Sequence, residues 1–293
     1  MGRFMEVALL LVSLGIVDGV SYLLASFQHS NWPGTVAVAA GETGGSFQVV
    51  YPQLGYNITR TVTPYGITDA YVDMSLWVTV GVENKAYVIH VFGKNMGVHR
   101  QMGYDVFSPL PISALGSRYV LSTCLRDIGH VVLVIASHNH KTDVDITLML
   151  EGNVTYDNMT YNDGDTIHVT LDEYEIFEMK SDYDLTGTVI NTTNTVAVFS
   201  GAVQYGYFAA ATQLLPVRHH GTEYVMYTGD VSNYRNWTYQ LQVISDQRNT
   251  EIMLNNGSTF SLGDNRVYRQ YLAKNESLYL TSTRPVFLQD TCA

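Results

Sequence analysis

An all-β chain of duplicated antiparallel β-sandwich units, Greek-key or jelly-roll-like, is what this sequence predicts, with little helix outside its first residues. Three observations carry that expectation. Apolar side chains recur with period two, no later window keeps a 3.6-residue apolar stripe capped at both ends, and segments of the chain repeat about 105–109 residues apart. In 74–82, Met74, Leu76, Val78, Val80 and Val82 share a parity opposite Ser75, Trp77, Thr79 and Gly81; in 142–150, Val144, Ile146, Leu148 and Leu150 alternate with Asp143, Asp145, Thr147 and Met149. Each run predicts a half-buried strand. Further strands are expected at 57–63, 86–92, 130–136, 166–171, 174–179, 196–200, 223–227, 238–244, 250–254, 267–272, 278–282 and 286–289. Asp163-Gly164-Asp165, Asn255-Asn256-Gly257 and Gly263-Asp264-Asn265 supply turns between them, because these residue types tolerate positive φ.

Composition bounds the rest. With 293 residues, 46% apolar and 15% charged, the chain buries a core of one large or two ordinary domains and is too apolar for disorder. A formal charge of −11 without a Lys or Arg cluster argues against nucleic acid, whose affinity comes from cations displacing counterions. Arg3 precedes an apolar stretch at 8–17, and Asp18, Gly19 and Ser21 follow, which is the layout of a secretory signal cleaved after Ser21. Ten apolar residues reach about 15 Å as a helix, half of a bilayer core. The chain is therefore expected to be secreted and not transmembrane. The expected division is a signal peptide at 1–21, a first β-sandwich unit with N-terminal strands at 22–193, and a second at 194–293.

Export is consistent with seven Asn-x-Ser/Thr sites, at Asn57, Asn153, Asn158, Asn191, Asn236, Asn256 and Asn275, none with Pro in the middle. A glycan demands a solvent-facing Asn. Cys124 and Cys292 are the two cysteines; in an oxidising compartment they pair with each other or with a partner.

The repeat runs as follows. Residues 84–90 (NKAYVIH), 110–120 (LPISALGSRYV), 131–136 and 142–148 (TDVDITL) recur in order as 194–199 (NTVAVF), 215–225 (LPVRHHGTEYV), 239–244 and 249–254 (NTEIML), and 283–289 reads as the opening of a further copy. Duplication is the simplest account, and each folded half is expected to draw strands from its neighbour.

The strand KAYVIHVFG, the segment FSPLPISALGSRYVLST at 107–123, the strand NTVAVFSGA at 194–202 and the segment QLLPVRHHGTEYVM at 213–226 together resemble the N-terminal domain family of the IgG Fc-binding protein. The resemblance runs from about Val36 to Gln289. It implies a secreted or surface glycoprotein module, mucus-associated or adhesive, with immunoglobulin Fc as a family label for its partner. Family members usually carry Cys after the Ser-Gly of the opening strand, whereas Gly201 here leads into Ala202-Val203-Gln204-Tyr205. No Fc-contact motif transfers to individual positions.

Candidate chemistry is sparse. His138 and His140 with Asp143 and Asp145 offer metal-ligand types, but no second pair stands at metal spacing, so a polar turn is the expectation. His219 and His220 read as a solvated loop. Asp157, Asp163 and Asp165 around Gly164 lack the Asp-x-Asp-x-Asp-Gly start of a calcium loop and read as a turn. Gly-x-Ser-x-Gly is absent, and Ser200 reads as a surface-facing or edge residue. No cofactor is implied. Aromatic loops are the better sign of binding: Tyr205, Tyr207 and Phe208, and Tyr234, Arg235 and Trp237, combine types favoured at protein and sugar contacts. The function expected is a non-enzymatic extracellular module binding a protein or glycan; the alternative is a structural element of mucus or matrix, disulfide-linked to other chains.

Overall fold

A computed structural model of the chain describes residues 19–26, 34–77, 79–102, 105–123, 130–204, 208–228, 239–263, 267–272 and 275–292. The fold is all-β, as expected, with four short 3-10 turns among the described residues.

An N-terminal unit holds β1 (Gly19–Leu24), β2 (Thr35–Ala40), β3 (Gly45–Tyr51), β4 (Tyr56–Val62), β5 (Ile67–Tyr71), β6 (Gly81–Asn84), β7 (Tyr87–Phe92), β8 (Met96–Met102) and β9 (Asp105–Phe107). Two four-stranded sheets, β1-β7-β3-β4 and β5-β2-β8-β9, share a core that takes Val36 and Val38 from β2 and Phe47, Val49 and Tyr51 from β3. Those alternate positions are the period-two pattern made physical. Arg100, 1% exposed, bonds through Nε to the Tyr87 hydroxyl (2.8 Å) and through Nη2 to Ser26 Oγ (3.2 Å). A Cβ at Gly34 would fall 2.2 Å from that guanidinium, so any other residue there would displace the Arg100 head from its bonds.

The first copy holds β10 (Gly116–Val120), β11 (His130–Ser137), β12 (Thr142–Thr147), β13 (Asn153–Tyr156), β14 (Met159–Asn162), β15 (Thr166–Leu171), β16 (Glu175–Ser181), β17 (Val189–Gln204) and β18 (Phe208–Gln213). The second holds β19 (Gly221–Tyr227), β20 (Tyr239–Ile244), β21 (Thr250–Leu254), β22 (Thr259–Leu262), β23 (Val267–Leu272) and β24 (Ser277–Cys292). Their strand orders, β15-β12-β17-β11-β16 and β22-β21-β24-β20-β23, are the same order twice. The hairpin β13-β14 has no counterpart in the second copy. β6 pairs with the outer edge of β16, so the first copy borrows a strand from the unit before it, as the repeat led one to expect.

Register repeats too. Gly116↔Val196 and Val120↔Val189 in the first copy become Gly221↔Val286 and Val225↔Tyr279 in the second, each ladder bulged after its first pair. Pro111 and Pro216 each open a 3-10 turn at φ near −60°. Buried Tyr119 accepts from Gly116 N (2.9 Å) and donates to Val196 O (2.6 Å); Tyr224 makes the same two bonds to Gly221 N and Val286 O. Ser137 with Thr142, and Ser245 with Thr250, pin the same hairpin in both copies.

The copies pack end to face. Val120 and Val189 from the first bury against Ile244, with Val217, Val267 and Phe287 around them. Ser122 Oγ donates to Gln242 Oε1 (3.2 Å), Gln242 Nε2 donates to Thr123 O (3.3 Å), Arg118 pairs with Asp246 (3.2 Å) and Arg269 with Asp184.

Two strand expectations change. Residues 74–82 are not one strand: Met74–Leu76 is a 3-10 turn whose Asp73 side chain accepts from Ser75 N (2.9 Å), and Gly81 at φ +112° opens β6. A local side-chain bond outcompeted the ladder there. The stretches 278–282 and 286–289 are one continuous strand, β24. The boundary at 193/194 falls inside β17, and the strands gather into three cores: one centred on the N-terminal unit and one in each copy. β1 runs from Gly19 to Leu24 among the described residues and pairs with β7.

Candidate functional site

In β19, Tyr224 and Met226 turn into the core of the second copy while Glu223, Val225 and Tyr227 turn outward. The bulge at Gly221/Glu223 and the Tyr224 hydroxyl fix that phase. Tyr279 of β24 stands directly opposite Val225, and Met253 of β21 opposite Thr281. Val225 is 79% exposed, Tyr227 62%, Met253 53% and Tyr279 38%. One sheet face with four large side chains grouped on it is therefore left to solvent, which is uncommon. Beside it a groove of about 510 Å³ runs between Met253, Thr259, Ser261, Thr281, Thr283 and Glu251.

The polar atoms of the face are organised. The Tyr279 hydroxyl donates to the Glu223 carboxylate, and that bond, then burial and the nearby negative charge, raises its pKa. The Tyr227 hydroxyl donates to Asn275 Oδ1 (3.0 Å), and Asn255 Nδ2 reaches Ser277 O (3.3 Å) at the same rim. Aromatic faces, hydroxyls and carboxylates on one sheet face suit contact with another macromolecule.

A sequence model of the family described as IgGFc binding protein matches residues 106–292. The chain belongs to that family. A human relative named IgGFc-binding protein is 30% identical over 126 residues, 40% of this chain and 2% of the relative's own length. No solved structure matches the chain. The matched span begins in β9 and ends on β24, so the IgGFc binding family match takes in both copies, their junction and the exposed face.

Among the sequence-predicted positions, Tyr205, Tyr207, Tyr234, Arg235, Trp237, Asn236 and Cys124 lie outside the described residues. Phe208 opens β18 opposite Gln204, and Cys292 closes β24 opposite Tyr239; their side chains are outside the description. Asn57, Asn153, Asn158, Asn256 and Asn275 are exposed. Asn191 is half-buried in the ladder, its Oδ1 accepting from Arg118 Nη1 (2.6 Å).

His138, His140, Asp143 and Asp145 do not converge. His140 pairs with Asp172 (2.7 Å), Asp145 with His168 (2.6 Å), and Asp143 accepts from Thr170 (2.8 Å). Asp163 and Asp165 accept from Leu150 N and Asn162 N within a turn. Two readings are corrected. Ser200 is neither at an edge nor on the surface: β17 is central, and the hydroxyl, 3% exposed, donates to Ser122 O (2.8 Å). His220 is not solvated, since it packs on Phe287 with ring centroids 5.5 Å apart, and burial lowers its pKa.

Val225, Tyr227, Met253 and Tyr279 were missed because alternation identifies two faces of a strand without saying which one is covered. The signal that finds them is the repeat itself. The same rungs hold Val120 and Val189 in the first copy.

Proposed function

We propose that this chain is a secreted, non-enzymatic glycoprotein module that binds a protein partner, immunoglobulin Fc being the first to test because the human relative is named for it. The observation that carries the reading is the family match across both copies, which takes in the apolar sheet face left uncovered on the second. Further support comes from five exposed glycosylation motifs and from an N-terminal sequence laid out as a signal. No helix among the described residues is long and apolar enough to cross a membrane.

The test immobilises the protein, purified from a eukaryotic secretion host, and titrates it with immunoglobulin G Fc fragment alongside a glycan array. Saturable Fc binding is expected. Blank results on both surfaces would remove the binding reading, and N-terminal sequencing of the same material places the cleavage site.

A further inference from the structure

We propose that the Val225, Tyr227 and Tyr279 face of the second copy is a docking surface for a further unit of this fold bearing Lys or Arg where the second copy has Asp246. Equivalence within the molecule carries the first half. Val225↔Tyr279 occupies the rungs that Val120↔Val189 occupies in the first copy, with the same bulge and the same buried tyrosine beside it. In the first copy that pair is 1% and 6% exposed, because the second copy sits on it through Ile244, Val267 and Phe287. Tyr227 likewise stands where Ser122 donates a hydrogen bond to the Gln242 side chain of the docked unit. The second copy thus keeps the receiving face of the first and is solvent-exposed there.

Charge carries the second half. Arg118 of the first copy pairs with Asp246 of the unit docked on it. In the second copy Glu223 takes the place of Arg118. A unit identical to the second copy would bring Asp246 against Glu223, a like-charge contact, whereas a cation at that position restores the pair. The surface discriminates against its own neighbour's chemistry and selects the opposite sign.

The test is partner-free. Cys292 of β24 stands where Ala202 stands in β17, opposite Tyr239 and Val131 respectively. Repeating residues 203–292 after Cys292 therefore continues the chain by one unit, and the tether supplies the effective concentration that a separate chain reaches by mass action. Three versions are made without glycans, leaving Asn275 bare: the added unit unchanged, the added unit with Asp246→Lys, and the unchanged added unit facing Glu223→Arg. The receiving chain is isotope-labelled and joined to an unlabelled added unit, so hydroxyl-radical labelling reads its Val225, Tyr227 and Tyr279 apart from the added unit's own copies of them, and hydrogen exchange along the added Tyr239–Cys292 ladder reports that the unit has folded. In both charge-restored versions, labelling is expected to fall toward the level of Val120 and Val189, with less protection in the unchanged one. Labelling equal to that of the 293-residue chain in every folded version overturns the docking surface; equal protection in all three overturns the charge requirement. No immunoglobulin enters the experiment, so its outcome is separate from that of Fc binding.

Discussion

Val120 with Val189 and Val225 with Tyr279 stand on the same rungs of the same bulged ladder, yet the first pair is 1% and 6% exposed and the second 79% and 38%. Backbone and register are held constant between the copies, so side chain and neighbour account for the difference. Where a unit sits on the face, the side chains are aliphatic and Ser122 is small enough to bond through the contact. Where none sits, Val225 keeps the aliphatic side chain of Val120, but Tyr279 and Tyr227 replace Val189 and Ser122, and their hydroxyls keep a polar end for water. A repeat can therefore be duplicated as a fold while its surfaces are reassigned by a few substitutions.

The strongest way to break that comparison is the paired substitution Val120→Asp and Val225→Asp. The first buries a carboxylate against Ile244 and should cost on the order of 3–5 kcal/mol; the second leaves it in water and should change stability by less than about 0.5 kcal/mol. Urea unfolding of both variants measures the gap, and equal losses would mean that the two faces are not in different environments.

A second contrast lies on the neighbouring strand. Glu178 and Arg269 are equivalent, facing Val134 and Gln242 across their ladders, but Arg269 pairs with Asp184 at the surface while Glu178 is fully buried. Lys180 Nζ lies 3.2 Å from its Oε1, close enough for attraction, although neither oxygen has an aligned hydrogen-bond partner. Burial pushes the Glu178 carboxyl up to about 7, against the partial offset of Lys180; Glu83 on β6 and Lys85 just after it act on it with opposite signs. A folded pKa above the unfolded value of 4.5 means that the native state holds the proton more tightly. The stabilisation is complete below about pH 4.5 and is lost as pH rises through about 7. Glu178→Gln should flatten that slope, removing a change of about 2–3 kcal/mol between pH 5 and 8. Thermal melts across that range decide it, and an unchanged slope would assign the carboxyl an ordinary pKa.

The smallest effect sharpens the comparison. Tyr119→Phe strands Gly116 N and Val196 O inside the core and should cost about 1–3 kcal/mol, whereas half-exposed Tyr224→Phe lets water replace the bonds and should cost about 1 kcal/mol. Equal costs by urea unfolding would show that water does not replace the Tyr224 bonds, and no cost in either variant would show that both tyrosines act only by shape.

Much of this fold was legible because period-two patterning and self-similarity are read from the chain directly. The strands at 166–171, 250–254 and 267–272 stand where alternation put them, and β6 supplies the shared strand that the repeat implied. Elsewhere local chemistry overrode the pattern. The apolar parity of 74–82 gave way to the Asp73 cap and the positive φ of Gly81, leaving Val80 and Val82 50% and 38% exposed. The candidate face was the least legible part, since Val225 on the outside of β19 resembles Ile252 on the inside of β21 until a neighbour is placed on one of them.

β6 has a consequence for how such units travel between proteins. Gly81–Asn84 completes the edge of β16, yet it precedes the whole first copy in the chain. A gene fragment cut at the loop before Pro111 would deliver a sheet lacking its border strand and leave that strand behind on the donor. In the first copy the genetic block is therefore offset by one strand from the folded body, whereas the second copy's sheet ends at β23 among the described residues and does without that border.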